Sequence, residues 1–215
     1  MRGFVRLIDK VPSVGHRRRL RVGVLGGSFN PAHVGHQNVA RVALRRLRLD
    51  QVWLMVSPGN PLKPSHGMAP MQDRLASAGT IGDGRKILAT AIEHRLGTRY
   101  TADTLRALRR RFPRVDFVWI MGADNLVGLP HWRDWMDIAR TMPFVVLPRP
   151  TYNQRALAGQ AAKRLRPAFR SPHEAAALAG MTPPAWTFLP APQNAISATA
   201  LRAAYSGAHA TGAVR

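Results

Sequence analysis

The chain has 215 residues, a length typical of one α/β domain. It contains 32 basic residues, 28 of them Arg, and only 11 acidic ones. The resulting net charge of +21 predicts an anionic partner, which could be nucleic acid, a membrane surface or phosphorylated metabolites. The lack of cysteine excludes disulfide scaffolds, cysteine-zinc and iron–sulfur sites, and a thiol nucleophile. No apolar run approaches the roughly 20 residues that span a bilayer, and we expect a cytoplasmic protein.

The charge and turn patterns predict three parts of the chain. Residues 1–20 form a basic, flexible extension, and residues 21–205 form one domain. Residues 206–215 are small and form a flexible tail. Arg6, Asp9 and Lys10 interrupt the apolar residues near the N-terminus, which argues against a signal peptide.

Strands and helices alternate along the predicted domain. In chain order, we expect strands at 21–25, 51–56, 87–93, 116–121, 144–147 and 186–189, and helices after Pro31 and at 70–81, 101–112, 132–139, 155–165 and 197–205. Thr101 is a candidate N-cap for one of these helices. The strands are apolar throughout, which indicates an α/β fold with a Rossmann-like, doubly wound parallel sheet and helices on both faces. Ligands bind such sheets at the carboxyl ends of the strands, so the loops at Gly26, Ser57, Gly122 and Pro190 are expected to form one site.

The segment Gly26-Gly-Ser-Phe-Asn-Pro-Ala-His-Val-Gly-His36 lies between the first strand and the first helix. The glycines allow the backbone to approach a ligand closely, and the free N–H groups of a helix start bind anions. His33 and His36 are three residues apart, so both side chains can reach the same phosphate. A metal pair is disfavoured because no Glu or Cys stands at ligand spacing. The absence of G-x-G-x-x-G disfavours a dinucleotide oxidoreductase.

A second segment, Ile196-Ser-Ala-Thr-Ala-Leu-Arg202, opens the last predicted helix. Ser197 and Thr199 supply hydroxyls beside free N–H groups, and Arg202 follows one turn later. Such a group can bind a polyphosphate. A Ser-capped helix that contains an Arg is common, so this segment gains meaning only together with the histidine segment.

The two segments together resemble a known family. They match G-G-[ST]-F-[DN]-P-x-H-x-G-H and I-S-x-T-x-x-R of the H-x-G-H nucleotidyltransferase superfamily. Residues 99–105, 117–126, 130–132 and 149–150 are similar, in the same order, to segments of bacterial nicotinate-nucleotide adenylyltransferases. The resemblance covers roughly residues 21 to 203.

The resemblance implies transfer of AMP from ATP to nicotinate mononucleotide in NAD biosynthesis, with Mg²⁺ held mainly by the ATP phosphates. It implies catalytic roles for His33, His36, Lys63 and Arg202. It implies that ATP contacts Gly26, Gly27, Ser28, Phe29, His33, His36, Gly122, Asp124, Ile196, Ser197, Thr199 and Arg202. It implies that nicotinate mononucleotide contacts Asn60, Lys63, Tyr100, Thr101, Trp132 and Arg149. No membrane and no specific nucleic acid is implied as a partner.

Several of these residues also have structural interpretations. Lys63 stands where many relatives carry His, which keeps the charge but loses a titrating group. Trp132 could serve packing alone, and Asp124 could be a helix cap. Arg149 could be a solvated loop residue.

Other functions stay open at this point. The acceptor could be nicotinamide mononucleotide or another phosphorylated compound, since one contact separates the acid from the amide. A basic nucleic-acid-binding module is the alternative from another class. That alternative predicts exposed aromatic residues interleaved with basic ones.

Overall fold

A computed structural model describes Val11 and residues 19–59 and 67–192. Six strands form one sheet in the order β3-β2-β1-β4-β5-β6, and every neighbouring pair is parallel. The strands are β1 (Leu20–Gly27), β2 (Gln51–Val56), β3 (Ile87–Thr90), β4 (Val115–Gly122), β5 (Phe144–Leu147) and β6 (Trp186–Phe188). The predicted doubly wound parallel sheet is confirmed.

Helices connect the strands on both faces of this sheet. The α-helices are α1 (Val34–Arg46), α2 (Met71–Ile81), α3 (Ile92–Arg95), α4 (Thr101–Arg111), α5 (Ala123–Gly128), α6 (Trp135–Thr141), α7 (Asn153–Leu157) and α8 (Gln160–Arg164). Short 3₁₀ helices cover Leu129–His131, Arg166–Ala168 and Pro172–Gly180. In the described part of the chain, no helix combines the length and apolar character needed to cross a membrane.

The apolar strands explain the layered core. Successive residues of a strand point to opposite faces, and both faces here are covered. Val24 and Trp53 belong to the core on one face, whereas Leu25 and Leu54 belong to the core on the other. From the centre of the sheet, β1, β2 and β3 follow one another outward on one side, and β4, β5 and β6 do so on the other. The strand order therefore reverses between β1 and β4. A crevice opens at such a point, beyond the carboxyl ends of the two strands.

Three predicted elements differ from the observed ones. The strand predicted at 87–93 ends at Thr90, whose Oγ1 accepts a hydrogen bond from the Ile92 N–H at 3.1 Å and starts α3. The helix predicted at 132–139 begins at Trp135, because Asp134 has a left-handed backbone with φ of 52°. The helix predicted at 155–165 is two helices separated at Gly159, which caps α8 in an extended conformation.

Two smaller predictions about helices have different outcomes. Thr101 is the first residue of α4, and the N-cap is Tyr100, with no side-chain hydrogen bond to the helix. The prediction that Thr101 caps this helix is therefore wrong. The helix predicted at 197–205 lies outside the described residues.

The proposed extension touches the core at two described positions, Val11 and Leu20, and Leu20 is already the first residue of β1. Val11 is buried, and its carbonyl oxygen accepts a hydrogen bond from Arg95 of α3 at 3.3 Å. The neighbouring residues 1–10 and 12–18 lie outside the described part of the chain, as does the tail at 206–215. The boundaries of the three parts stay predictions.

Candidate active site

The two histidines after β1 form the N-terminal cap of α1. His33 is the N-cap residue, and its Nδ1 accepts a hydrogen bond from the Gly35 N–H at 3.1 Å. His36 folds back, and its Nδ1 accepts from the His33 N–H at 3.2 Å. This is a capping box built from two imidazoles instead of Ser and Glu. Because both Nδ1 atoms accept, the neutral rings carry their protons on Nε2, where they can donate to a ligand.

The surroundings of the pair favour uncharged imidazoles. The two ring centroids lie 3.9 Å apart. Burial, followed by the charges of His33 and Arg149, lowers the pKa of His36 to about 3. Burial and the Arg149 charge also lower the pKa of His33. At neutral pH the pair therefore offers hydrogen-bond donors, while the positive charge beside it comes from Arg149.

The chain ahead of these histidines is shaped by close packing. Phe29 is buried with a positive φ of 48°, and its ring centroid lies 4.9 Å from that of His36. A Cβ on Gly27 would stand 3.2 Å from the Phe29 ring, and a Cβ on Gly26 would collide with Trp119. Side chains at these two positions would therefore displace the aromatic residues that support the turn.

A buried arginine that the sequence analysis missed connects two of the loops. Arg74 of α2 is 3% exposed, and its Nη1 donates to the carbonyl oxygens of Ser28 at 3.0 Å and Ser57 at 2.7 Å. The same guanidinium donates to Pro58 and, through Nε, to Ala69 at 2.9 Å. The charge thus lies below the loops after β1 and β2 and fixes one against the other.

The loop after β2 begins beside the histidine turn. The Ser57 N–H donates to the Gly27 carbonyl oxygen at 2.9 Å, which continues the pairing of β1 and β2 past their ends. Asn60 and Lys63, which the sequence assigns to this loop, lie outside the described residues. Their proposed roles stay predictions.

The end of β4 contributes the other wall of the crevice. Gly122 is the N-cap of α5, and the Asp124 carboxylate packs against the position where a Gly122 side chain would stand. The sequence analysis did not predict α5. This helix has Asp124 in its first turn rather than at its N-cap. Because β1 and β4 are adjacent in the sheet, Gly122 and Asp124 lie at the same edge as the histidine turn.

The remaining predicted residues fall into two groups. Arg149 follows β5 and lies close enough to the two histidines for its charge to lower the pKa of both. Tyr100 and Trp132 belong to two segments that meet: the guanidinium carbon of Arg133 stands 4.6 Å from the Tyr100 ring centroid, so the start of α4 contacts the segment just after Trp132. Trp132 is half-buried and packs on the core. Thr101 follows Tyr100 in the first turn of α4.

The second sequence motif cannot be placed. Ile196, Ser197, Thr199 and Arg202 all lie outside the described residues. Pro190 follows β6 at the same end of the sheet, where the Leu189 N–H donates to the Val146 carbonyl oxygen at 3.0 Å. Among the four predicted loops, those at Gly26, Ser57 and Gly122 come together around β1.

Comparison with known proteins identifies the family. Residues 24–204 match the family described as Cytidylyltransferase-like. The chain is 60% identical over 196 residues to a protein of Gluconacetobacter diazotrophicus, covering 91% of each chain. It is 61% identical over 183 residues to one of Gluconobacter oxydans, covering 85% of this chain and 94% of the relative. Both relatives carry the name "Probable nicotinate-nucleotide adenylyltransferase".

The chain belongs to the nicotinate-nucleotide adenylyltransferase family. The fold of the family is seen in solved structures of Plasmodium falciparum nicotinic acid mononucleotide adenylyltransferase. The structure complexed with NaAD has a TM-score of 0.64 and 15% identity, covering 86% of this chain and 83% of the other. The structure complexed with APC has a TM-score of 0.59 with the same identity and coverage. At this identity the likeness concerns the fold.

Proposed function

We propose that this protein transfers the AMP group of ATP to nicotinate mononucleotide, giving deamido-NAD and pyrophosphate in NAD biosynthesis. The observation that carries the proposal is the histidine capping box. It places two neutral Nε2 donors at the start of α1, beside the charge of Arg149. Membership of the nicotinate-nucleotide adenylyltransferase family supports the choice of reaction.

The proposed chemistry is an in-line displacement at the α-phosphorus of ATP. An oxygen of the mononucleotide's 5′-phosphate forms the new P–O bond, and the bond to the pyrophosphate breaks. The attacking phosphate is already ionised, so the reaction needs no nucleophile or strong base from the protein. Rate enhancement then comes from positioning and from stabilising charge on the departing pyrophosphate.

In this proposal the histidine pair donates to the ATP phosphates. His36 is closest to the reacting centre, and His33 holds the neighbouring phosphate oxygens. Uncharged donors fixed by a helix cap need little reorganisation as charge develops, which is the property that preorganised anion sites exploit. Arg149 supplies long-range positive charge to the same place.

Mg²⁺ would be held mainly by the ATP phosphates. The described residues hold no cluster of three or more His, Cys, Asp or Glu side chains that could bind a metal ion. Such surroundings fit an ion that takes its ligands from phosphate oxygens and water, as Mg²⁺ commonly does. When bound, the ion neutralises charge on the pyrophosphate.

Other substrate contacts are proposed from the resemblance. Gly26, Gly27, Ser28 and Phe29 line the phosphate turn, while Gly122 and Asp124 lie near the adenosine, with Asp124 accepting from ribose hydroxyls. Ser197, Thr199, Ile196 and Arg202 bind the β- and γ-phosphates, and Lys63 adds charge. Asn60, Tyr100, Thr101 and Trp132 bind the mononucleotide, with the Trp132 ring stacked on the pyridine. The notion of a cytoplasmic enzyme likewise stays a prediction.

A coupled pyrophosphate assay tests the function. Purified protein is mixed with ATP and Mg²⁺, and turnover is compared between nicotinate and nicotinamide mononucleotides. We expect pyrophosphate release with the nicotinate compound. Faster release with the nicotinamide compound would reassign the acceptor, and no release with either would remove the proposal.

A further inference from the structure

Glu93 is a buried carboxyl for which the proposed reaction has no use. It stands in the first turn of α3, directly after β3, and is 4% exposed. It is one of two glutamates in the chain, the other being the exposed Glu174. Burying a carboxyl without hydrogen-bond partners is costly, so its contacts explain why it is tolerated there.

The Glu93 carboxyl joins two segments that are distant in sequence. The Thr104 hydroxyl of α4 donates to Glu93 Oε1 at 2.9 Å. The Ser57 side chain, directly after β2, also hydrogen-bonds to this carboxyl. Thr98 completes the group, since its hydroxyl lies 2.8 Å from that of Thr104.

Both segments border the candidate active site. The backbone N–H and carbonyl oxygen of Ser57 are already hydrogen-bonded, to Gly27 of the histidine turn and to Arg74 respectively. The Ser57 hydroxyl is therefore the group that remains for Glu93 to bind. The Thr104 backbone N–H donates to the carbonyl oxygen of Tyr100, the N-cap of α4, at 3.0 Å. Glu93 therefore fixes the distance between the end of β2 and the start of α4.

We propose that Glu93 is a positioning residue for the acceptor side of the site, acting through Ser57 and Thr104. This inference rests on the proposed function, in which Tyr100 and Thr101 contact the mononucleotide. Glu93 reaches the phosphate turn only through Ser57, whose backbone N–H donates to Gly27, whereas it binds α4 directly at Thr104. The position of the mononucleotide should therefore depend on Glu93 more than the position of ATP does.

The protonation of Glu93 is expected to change near neutral pH. Burial raises its pKa to about 7, against the opposing effect of the Thr104 and Ser57 hydrogen bonds. The charged side chains nearest in sequence are exposed or paired: His94 and Arg95 of α3 are exposed, and Asp103 of α4 pairs with Arg106 at 2.8 Å. The neighbouring strand β2 contributes apolar side chains such as Trp53 and Met55. The guanidinium of Arg74 binds the carbonyl oxygen of Ser57 rather than its hydroxyl.

The charge state decides how the two hydroxyls are held. A carboxylate accepts from both Ser57 and Thr104, whereas a protonated carboxyl must donate through one oxygen. Glu93→Gln mimics the protonated form with little change of shape. It therefore converts a pH-dependent arrangement into a fixed one.

The experiment measures KM for nicotinate mononucleotide and for ATP between pH 6 and 8.5. In the wild type, the KM for the mononucleotide should fall as pH rises through about 7, relative to Glu93→Gln at the same pH. At pH 8, Glu93→Gln should raise that KM roughly 3- to 10-fold, the effect of one or two hydrogen bonds, with the KM for ATP nearly unchanged. Glu174→Gln is the matched control, and Thr104→Val should reproduce the Glu93→Gln effect while Thr104→Ser should not.

A second readout works without turnover. Hydrogen exchange of the backbone amides of Ser57, Gly59 and residues 100–104 should be faster in Glu93→Gln than in the wild type or Glu174→Gln. If the wild type fails to release pyrophosphate, the proposed function fails, and the exchange data alone decide the positioning role. Unchanged exchange, or equal rises in both KM values accompanied by a lower melting temperature, would overturn the inference in favour of a purely structural carboxyl.

Discussion

The indole of Trp119 occupies the space that a side chain at Gly26 would need. A Cβ on Gly26 would collide with the far edge of the indole ring, and Trp119 is itself fixed in the central strand β4 at 3% exposure. A methyl group there would force either the indole or the start of the phosphate turn to move. The glycine therefore serves the packing beneath the ligand as well as access to it.

We expect Gly26→Ala to destabilise the protein by about 1–3 kcal/mol, the usual cost of overpacking a core. Urea denaturation measures the change. Gly79→Ala is the matched control, because Gly79 is exposed in α2 with nothing within 4 Å of an added Cβ. That variant should be neutral or slightly stabilising, as alanine favours helices. Equal stability of the two variants would show that Trp119 can yield.

His36→Asn separates the two roles of this histidine. The asparagine oxygen can replace Nδ1 as acceptor from the His33 N–H, but the Nε2 donor is lost. If His36 stabilises the departing charge, turnover should fall about 10²- to 10³-fold, as for a lost oxyanion donor. The melting temperature should change little. A variant that kept most of its pyrophosphate release would remove His36 from the reaction.

The low pKa of His36 makes stability depend on acid. Its pKa of about 3 in the folded protein lies below the ordinary histidine value of 6.5 that holds in the unfolded chain. Between these values the unfolded chain binds a proton that the folded one does not, so this stabilising contribution is complete above pH 6.5 and is lost as pH falls towards 3. Denaturation midpoints of the wild type should therefore fall more steeply across this range than those of His36→Asn. Parallel curves would contradict a depressed pKa.

Arg74 should be far more sensitive to substitution than a surface arginine. Arg74→Met leaves the carbonyl oxygens of Ser28, Ser57 and Ala69 without their donor, at about 1–3 kcal/mol for each one that water cannot reach. Arg74→Lys keeps the charge but not the fork of donors, and should fall between the wild type and Arg74→Met. Arg41→Met, on the exposed side of α1, should stay within about 0.5 kcal/mol. Chemical denaturation of the three variants gives the comparison.

The strands and the histidine turn could be predicted from the sequence, but the burial of Arg74 and Glu93 could not. Apolar runs report burial directly, so five of the predicted strands match the observed ones to within a few residues. Arg74 is one of 28 arginines, most of them on exposed faces, and nothing in its neighbours marks it as buried. Glu93 was assigned to a strand because Ile92 and Ala91 extend the apolar run past Thr90. The hydroxyl of Thr90 ends the strand there, and that bond appears only once the chain is folded.

The burial of Arg74 has a consequence for how the protein responds to salt. Charges at the surface are screened over about 10 Å at 0.1 M ionic strength, but a charge enclosed by backbone carbonyls is screened much less. Most of the +21 surplus can therefore aid only the capture of anionic nucleotides, which salt suppresses. The cation under the loops at Ser28 and Ser57 is weakened far less by added salt. Added salt should slow the association of the protein with its substrates. It should leave the rate of the reaction within the bound complex nearly unchanged.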